Sequence, residues 1–406
     1  MKRSSVNVFV SGARAGIISR SGLEDDTFLF SYDGDCPESH AVSLTMPVVS
    51  DQYDSMNTIH PVFEMNLPEG FLRKKLELMF SKVMKHFDSL SLLEIVGKSQ
   101  IGRLRFSSED SILGEVPAQN IKSLLSYKGT EDLFEDLVNR FATSSGISGV
   151  QPKVLIRSEV AGIGRITDKG ATHIVKSFDP REYPELAANE FFSMAAARYS
   201  GLETAQTRLS LNRKLLIVKR FDREKNGAWL GFEDFCVLSG MRSDGRYLSS
   251  YERLAQQISR YVSPQHLLNS LEQFFGAIVL ACGIRNGDAH LKNFGVLYRT
   301  PEKTVRLAPV YDMLSTKLYF PHDVLALELN GSKNFPSREQ LIRFGRQACG
   351  LSSRKTQEII ENVTSGIDQA TKELRNFSEK NKTSRKFADR LIGIYSEGRE
   401  SIAKGA

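Results

Sequence analysis

Cysteine is scarce in this chain: Cys36, Cys236, Cys282 and Cys349 are the only four thiols in 406 residues, and no two form a C-x-x-C pair. That scatter argues against a zinc site or a disulfide framework and fits a reducing cytosol. Long apolar runs are missing too. The start, Met1-Lys2-Arg3-Ser4-Ser5-Val6-Asn7, leads into no signal peptide and nothing reaches the length of a membrane span, so a cytoplasmic protein without a membrane partner is expected. Charge of one sign is modest at +6, which gives weak support to polyanion contact. Basic residues gather near the C-terminus at Lys380, Lys382, Arg385, Lys386 and Arg390, where an exposed helical face is the plainer reading and nucleic-acid contact the other. No repeat or low-complexity tract is visible. Gly97-Lys98-Ser99 has no glycine five positions upstream, which excludes a Walker A loop.

What remains is an ordinary globular composition, 41% hydrophobic and 25% charged, with length for two or three domains or subdomains. Residues 1–105 favour short strands, with Val6–Val10, Thr27–Tyr32 and Val42–Met46 separated by Gly, Asp and Pro, and a helix after Pro68-Glu69-Gly70. A polar stretch over 106–145 reads as linkers or exposed loops. Residues 106–240 then carry a strand at Ala171–Lys176, a helix over Pro184–Ser200 and a strand at Leu215–Lys219. Residues 241–406 are mostly helical. The expected class is α+β, with a small β-rich N-terminal subdomain and a mostly helical C-terminal lobe.

The densest chemistry lies in Asn286-Gly287-Asp288-Ala289-His290-Leu291-Lys292-Asn293-Phe294-Gly295, followed by two short apolar runs and Tyr311-Asp312-Met313. Asp288 and Asn293 have the D-x-x-x-x-N spacing of a kinase catalytic loop. Phosphoryl transfer needs a carboxylate for the hydroxyl proton and oxygen ligands for Mg²⁺. The spacing has a mechanical reason: Val296–Tyr298 and Val305–Val310 read as a hairpin that returns Asp312 beside Asn293, and the apolar helix through Leu267, Leu271, Phe275 and Ile278 delivers the loop. A surface Asn-Gly-Asp turn followed by an unrelated Tyr-Asp is the plain alternative.

A kinase site also needs a cation on the α/β-phosphates and a residue that holds it. Lys176 and Glu190 stand in the right order, although a lysine with a solvated ammonium and an exposed helical glutamate would look the same. Upstream, Gly146-Ile147-Ser148-Gly149-Val150-Gln151-Pro152-Lys153 could turn backbone N–H groups toward phosphate oxygens, but it differs from G-x-G-x-x-G. Gly231–Cys236 occupies the place of the adenine-binding connection, where Glu233 and Phe235 could offer backbone groups.

Together with Val218-Lys219-Arg220-Phe221-Asp222-Arg223, Phe232–Cys236, Pro309–Ser315 and Pro61–Gly70, these segments resemble the HipA family of bacterial serine/threonine-kinase toxins over essentially the whole chain. The resemblance implies a two-lobed, kinase-like fold using ATP and Mg²⁺. It makes Asp288 the catalytic base, Asn293 and Asp312 the metal ligands, and Lys176 a phosphate contact, with Ser148, Gly149, Gln151 and Lys153 in the phosphate loop and His290 near the nucleotide. It implies autophosphorylation of a serine in that loop; only Ser148 is present in Gly146-Ile147-Ser148, with Ser144 and Ser145 as neighbouring substitutes. A DFG sequence is not expected at Asp312. The implied partners are a HipB-like helix-turn-helix antitoxin, operator DNA reached through it, and a protein substrate such as an aminoacyl-tRNA synthetase. Two other functions fit the same residues: a kinase-like small-molecule phosphotransferase, and a catalytically idle antitoxin-binding co-repressor.

Overall fold

The computed structural model describes residues 5–21, 27–81, 87–109, 118–128, 133–149, 151–158 and 171–403. Its first sheet is antiparallel, with strands β1 (Ser5–Val10), β2 (Ala13–Arg20), β3 (Thr27–Tyr32), β4 (Tyr53–Met56) and β5 (Leu104–Ser107) in the order β4-β3-β2-β1-β5. Val42–Met46, expected as a strand, makes a single bridge between Ser43 and Met46 instead. The apolar side chains Val42 and Met46 are buried by a turn, and the edge strand forms farther on.

A second sheet holds β6 (Ala118–Gln119), β7 (Lys153–Ser158), β8 (His173–Lys176), β9 (Thr207–Leu209) and β10 (Leu216–Lys219), ordered β6-β7-β8-β10-β9. The stretch between the two sheets is more than linker. Among its described residues are helices Ile121–Ser126 and Leu133–Phe141, and Phe134, Leu137, Val138 and Phe141 are buried at helical spacing. One hydrophobic cluster therefore runs from Val6 through these helices to Val154, Val175 and Ile217, so the N-terminal subdomain and the second sheet share a core.

The third sheet, β11 (Gly231–Asp234), β12 (Gly295–Tyr298) and β13 (Val305–Leu307), joins the lobes and contains the expected hairpin. Beneath it runs the helix Pro264–Gly283, buried almost continuously from Ser270 onward because helices Tyr251–Tyr261, Ser353–Lys380 and Arg385–Ala403 surround it. An all-round apolar helix of this kind belongs at the centre of a lobe. Its last residue, Gly283, packs so closely on Gly398 that a Cβ at Gly398 would lie 2.2 Å from the Gly283 carbonyl oxygen. Ser352 caps Ser353–Lys380 by accepting from the Lys355 amide, as its position before the apolar periodicity suggests. Among the described residues no helix is long and apolar enough to cross a membrane.

Candidate active site

The central helix ends into the loop that carries Asp288, and local bonds fix the loop's shape. Arg285 takes a left-handed backbone (φ 56°) and Asn286 Oδ1 accepts from the Asp288 amide at 2.9 Å. Thr316 Oγ1 accepts from the Gly287 amide at 2.6 Å. Any Cβ at Gly287 would meet Asp323 and Val324 at 2.2–2.3 Å, so glycine is required there. Farther along, Tyr251 Oη donates to the Ala289 carbonyl (3.0 Å), Tyr311 Oη to that of Lys292 (2.7 Å), and Asn293 Oδ1 accepts from the His290 amide (3.1 Å).

Opposite, β7 and β8 set Lys153 directly beside Lys176. The Lys176 ammonium bonds Glu190 Oε1 at 2.6 Å and also Asp312 Oδ1. Glu190 is 1% exposed, so the exposed-helix alternative fails for it. The helix Leu186–Tyr199 does two jobs from adjacent residues: Glu190 holds Lys176, while the Asn189 amide group grips the Ser315 backbone with two 2.9 Å bonds and so fixes the segment after Asp312. Asp312 itself is left-handed (φ 60°), a conformation uncommon outside glycine but reached by aspartate more readily than by most residues.

These contacts set the charges. Burial alone would raise the Asp312 carboxyl, but the Lys176 and Lys153 ammonium groups hold it well below the usual carboxylate range. Burial opposes a charged Lys176, and Asp312 and Glu190 overcome it, raising its pKa. Burial pushes Glu190 up to about 6 against the pull of Lys176, and lowers Lys153. Asp288 is pushed up to about 6, mainly by burial, with Tyr247 opposing and Asp312 adding to the rise. His290 falls to about 3 through burial and Arg246, so it is a neutral ring beside the base.

All these groups line one cleft of about 920 Å³ between the lobes. Ser148, Gly149, Gln151, Lys153, Lys176, Asp288, His290, Asn293 and Asp312 are all on its wall. The glycine-bearing loop is anchored from behind: the Gly146 amide donates to Ser99 O at 2.9 Å, which gives Gly97-Lys98-Ser99 a docking role. Gly149 has φ 118° and lies against the Lys153 ammonium, two reasons for glycine. Ser148 is half-buried at the cleft, whereas Ser145 is fully buried, donating to Phe141 O (2.7 Å) and accepting from Leu155 N (2.9 Å). Ser145 is thus a structural hydroxyl and no substitute for Ser148. Val150 lies outside the described residues.

Glu233 and Phe235 are not on the cleft wall. Glu233 is 2% exposed and its carboxylate accepts from Ser43 Oγ, the Leu44 amide (2.9 Å) and Tyr298 Oη, stapling the N-terminal subdomain to the third sheet. The Phe235 amide is used on Phe294 O at 3.0 Å. Strand pairing and burial have claimed those groups. Four further residues contribute to the site: Tyr247, whose hydroxyl donates to Asp288 Oδ1 at 2.7 Å; Lys292, paired with Asp234 at 2.8 Å; and Asn66 and Phe71 on the wall. Asn66 and Lys292 lie in segments that carry the family resemblance, Pro61–Gly70 and Asn286–Gly295, whereas Tyr247 lies in none of them.

The two-lobed architecture, with a lysine–glutamate pair in the sheet lobe and an acid-bearing loop on the helical lobe, is a kinase-like fold. Comparison with known proteins agrees. The chain superposes on the HipA chain of Shewanella oneidensis MR-1, solved with HipB and its operator DNA, with a TM-score of 0.68 and 19% identity over 99% of this chain and 100% of that one. Family profiles for the HipA N-terminal domain and the HipA-like C-terminal domain match residues 6–107 and 145–371. This chain belongs to the HipA family. Among curated relatives, "Putative kinase Y4dM" of Sinorhizobium fredii is 26% identical over 71% of each chain. A "Putative kinase" of Haemophilus influenzae is 30% identical over 45% of this chain and 57% of its own.

Proposed function

We propose that this protein is a Mg·ATP-dependent serine/threonine protein kinase and the toxin of a toxin–antitoxin pair. The observation that carries the reading is the Lys176 bridge between Glu190 and Asp312, set in the same cleft as the Asp288–Asn293 loop. Lys176 and Lys153 would hold phosphate oxygens, and the amide groups about Ser148 and Gly149 would face them. Asn293 and Asp312 supply hard oxygen donors, and a carboxylate kept ionised by two lysines suits Mg²⁺. When bound, the ion would neutralise charge on the phosphates. Asp288 takes the proton from the acceptor hydroxyl as that oxygen attacks the γ-phosphorus. Phe221, Phe232 and Tyr311, with centroids 5.4–6.0 Å apart, form an aromatic wall suited to a nucleobase in place of the Glu233 and Phe235 backbone.

Ser148 is the autophosphorylation site in this reading; a phosphate there, carrying about −1.5 to −2 charge, would repel bound nucleotide. The antitoxin is a HipB-like protein that carries the complex to operator DNA, by analogy with the Shewanella assembly. The acceptor is a translation component such as an aminoacyl-tRNA synthetase, on the strength of the family resemblance.

Intact-mass analysis with phosphosite mapping tests this, using wild type and Asp288→Asn purified in parallel and incubated with Mg·ATP. Phosphate on Ser148 in wild type alone is expected. ATP binding by both forms with no phosphate on either, nor on protein in a treated lysate, would turn the reading toward a small-molecule acceptor or an idle binding subunit.

A further inference from the structure

Tyr247 ends a short 3-10 helix, Ser243–Tyr247, and places its hydroxyl 2.7 Å from Asp288 Oδ1. Among the described residues no other side chain hydrogen-bonds that carboxylate. Arg246, His290, Asp312 and Asp323 face it without a bond, His290 Nε2 standing 3.9 Å away. The Tyr247 ring sits edge-on to His290 (centroids 5.0 Å) and is 43% exposed; the adjoining Leu248 is 69% exposed. Little else ties the ring down.

A general base works on a hydroxyl within about 2.6–3.2 Å of it. Tyr247 already meets that condition with a hydroxyl of its own. Burial and the neighbouring carboxylate keep this phenol protonated, so it serves as a donor. We propose that Tyr247 gates the acceptor subsite: its hydroxyl occupies the position from which an acceptor hydroxyl hands its proton to Asp288, and the acceptor must displace it. The proposal rests on the kinase reading above. In the transfer step the acceptor O–H proton goes to Asp288 and its oxygen bonds the γ-phosphorus. The bond from that phosphorus to the β,γ-bridging oxygen breaks, its electron pair leaving with ADP. While Tyr247 donates to Oδ1 it takes up one acceptor position of the carboxylate and competes with the acceptor hydroxyl for it. Tyr247 is accordingly a positioning residue that sets the acceptor's KM.

Tyr247→Phe keeps the ring against His290 and removes the hydroxyl. ADP formation from Mg·ATP is measured for wild type and variant with two acceptors: water, and a synthetic peptide of residues 142–151 over a concentration series. The gate predicts that KM for the peptide falls about tenfold, the equivalent of one charge-assisted hydrogen bond no longer displaced. It also predicts faster hydrolysis in the variant, an arm that needs no peptide recognition. A gain of access is not something a merely damaged fold produces. Tyr247→Ala, which clears the ring as well, is expected to lower KM too. Unchanged or raised KM together with unchanged or slower hydrolysis in Tyr247→Phe would overturn the gate and leave the kinase reading standing. Phosphate found on Tyr247 itself would overturn it by making that hydroxyl the acceptor. Wild type that binds Mg·ATP but forms no ADP with either acceptor would overturn the kinase reading, and the gate with it.

Discussion

Two buried charge clusters in this molecule look alike in sequence and differ in what holds them. In one, Arg220 pairs with Asp222, and both are further bonded to fixed backbone: Asp222 Oδ2 accepts from the Gly102 amide (2.6 Å) and Arg220 Nη2 donates to Gln100 O (2.9 Å). Trp229 lies against the guanidinium groups of Arg105, Arg220 and Arg223 at 4.2–4.5 Å. That cluster rivets the N-terminal subdomain to the second sheet. In the other, Lys176, Glu190 and Asp312 bond chiefly one another, Glu190 Oε2 is buried without a partner, and Asp312 keeps a left-handed backbone. An incompletely satisfied buried network costs stability, and such cost is expected where charges must be ready for a ligand. Backbone partners mark the rivet, while side-chain partners and a left-handed acid mark the working site; among the described residues each cluster keeps a buried atom without a partner, Arg220 Nη1 in the first and Glu190 Oε2 in the second.

The comparison breaks most visibly at the base. Asp288→Asn is expected to lower phosphoryl transfer by about 10²- to 10⁴-fold with ATP affinity and melting temperature little changed, as paired kinetics, calorimetry and thermal melts would show. Asp222→Ala is expected to do the reverse. Removing one partner of a buried pair costs about 3–5 kcal/mol, read as a fall in urea midpoint, while turnover per folded molecule falls far less than in Asp288→Asn, although Arg220 and Asp222 reach the cleft wall. If Asp222→Ala stayed stable and lost activity, the rivet would belong to the site.

The pH profile sharpens the contrast. With its pKa raised to about 6, Asp288 stays protonated to a higher pH than an ordinary aspartate and acts as a base only above that value. The acidic limb of kcat/KM is therefore expected to fall about tenfold per unit below that point. The smallest effect is expected of Glu190→Gln, which keeps the side-chain volume and leaves Lys176 its bond to Asp312. A rise of less than about tenfold in KM for ATP is the outcome, since the amide oxygen can still accept from Lys176 and only the charge assistance is lost.

Much of this site was legible because its spacing is local. The apolar helix, the Asn286–Gly295 loop and the hairpin back to Asp312 lie within one continuous stretch, and the strand–helix order of Lys176 and Glu190 brought that pair together as expected. Tyr247 was illegible for the opposite reason: it meets Asp288 across 41 residues of chain, through packing that no pattern near Tyr247 encodes. Helix Leu133–Phe141 did carry a signal, since Phe134, Leu137, Val138 and Phe141 repeat at helical intervals, but the polar residues around it have the composition of loops. Val42–Met46 alternates like a strand and turns instead, because the adjacent Ser43 and Leu44 are drawn to the Glu233 carboxylate far along the chain. Glu233 and Phe235 show that a segment can sit in the expected place while its groups are committed to strand and interface bonds.

The most direct test of the central claim is transfer of labelled γ-phosphate from Mg·ATP by wild type and by Asp288→Asn, after calorimetry has shown that both bind the nucleotide equally. Label on protein with wild type and its loss in the variant is the predicted result. Equal labelling by the two forms would contradict the assignment of Asp288 as the base on which the whole cleft is organised.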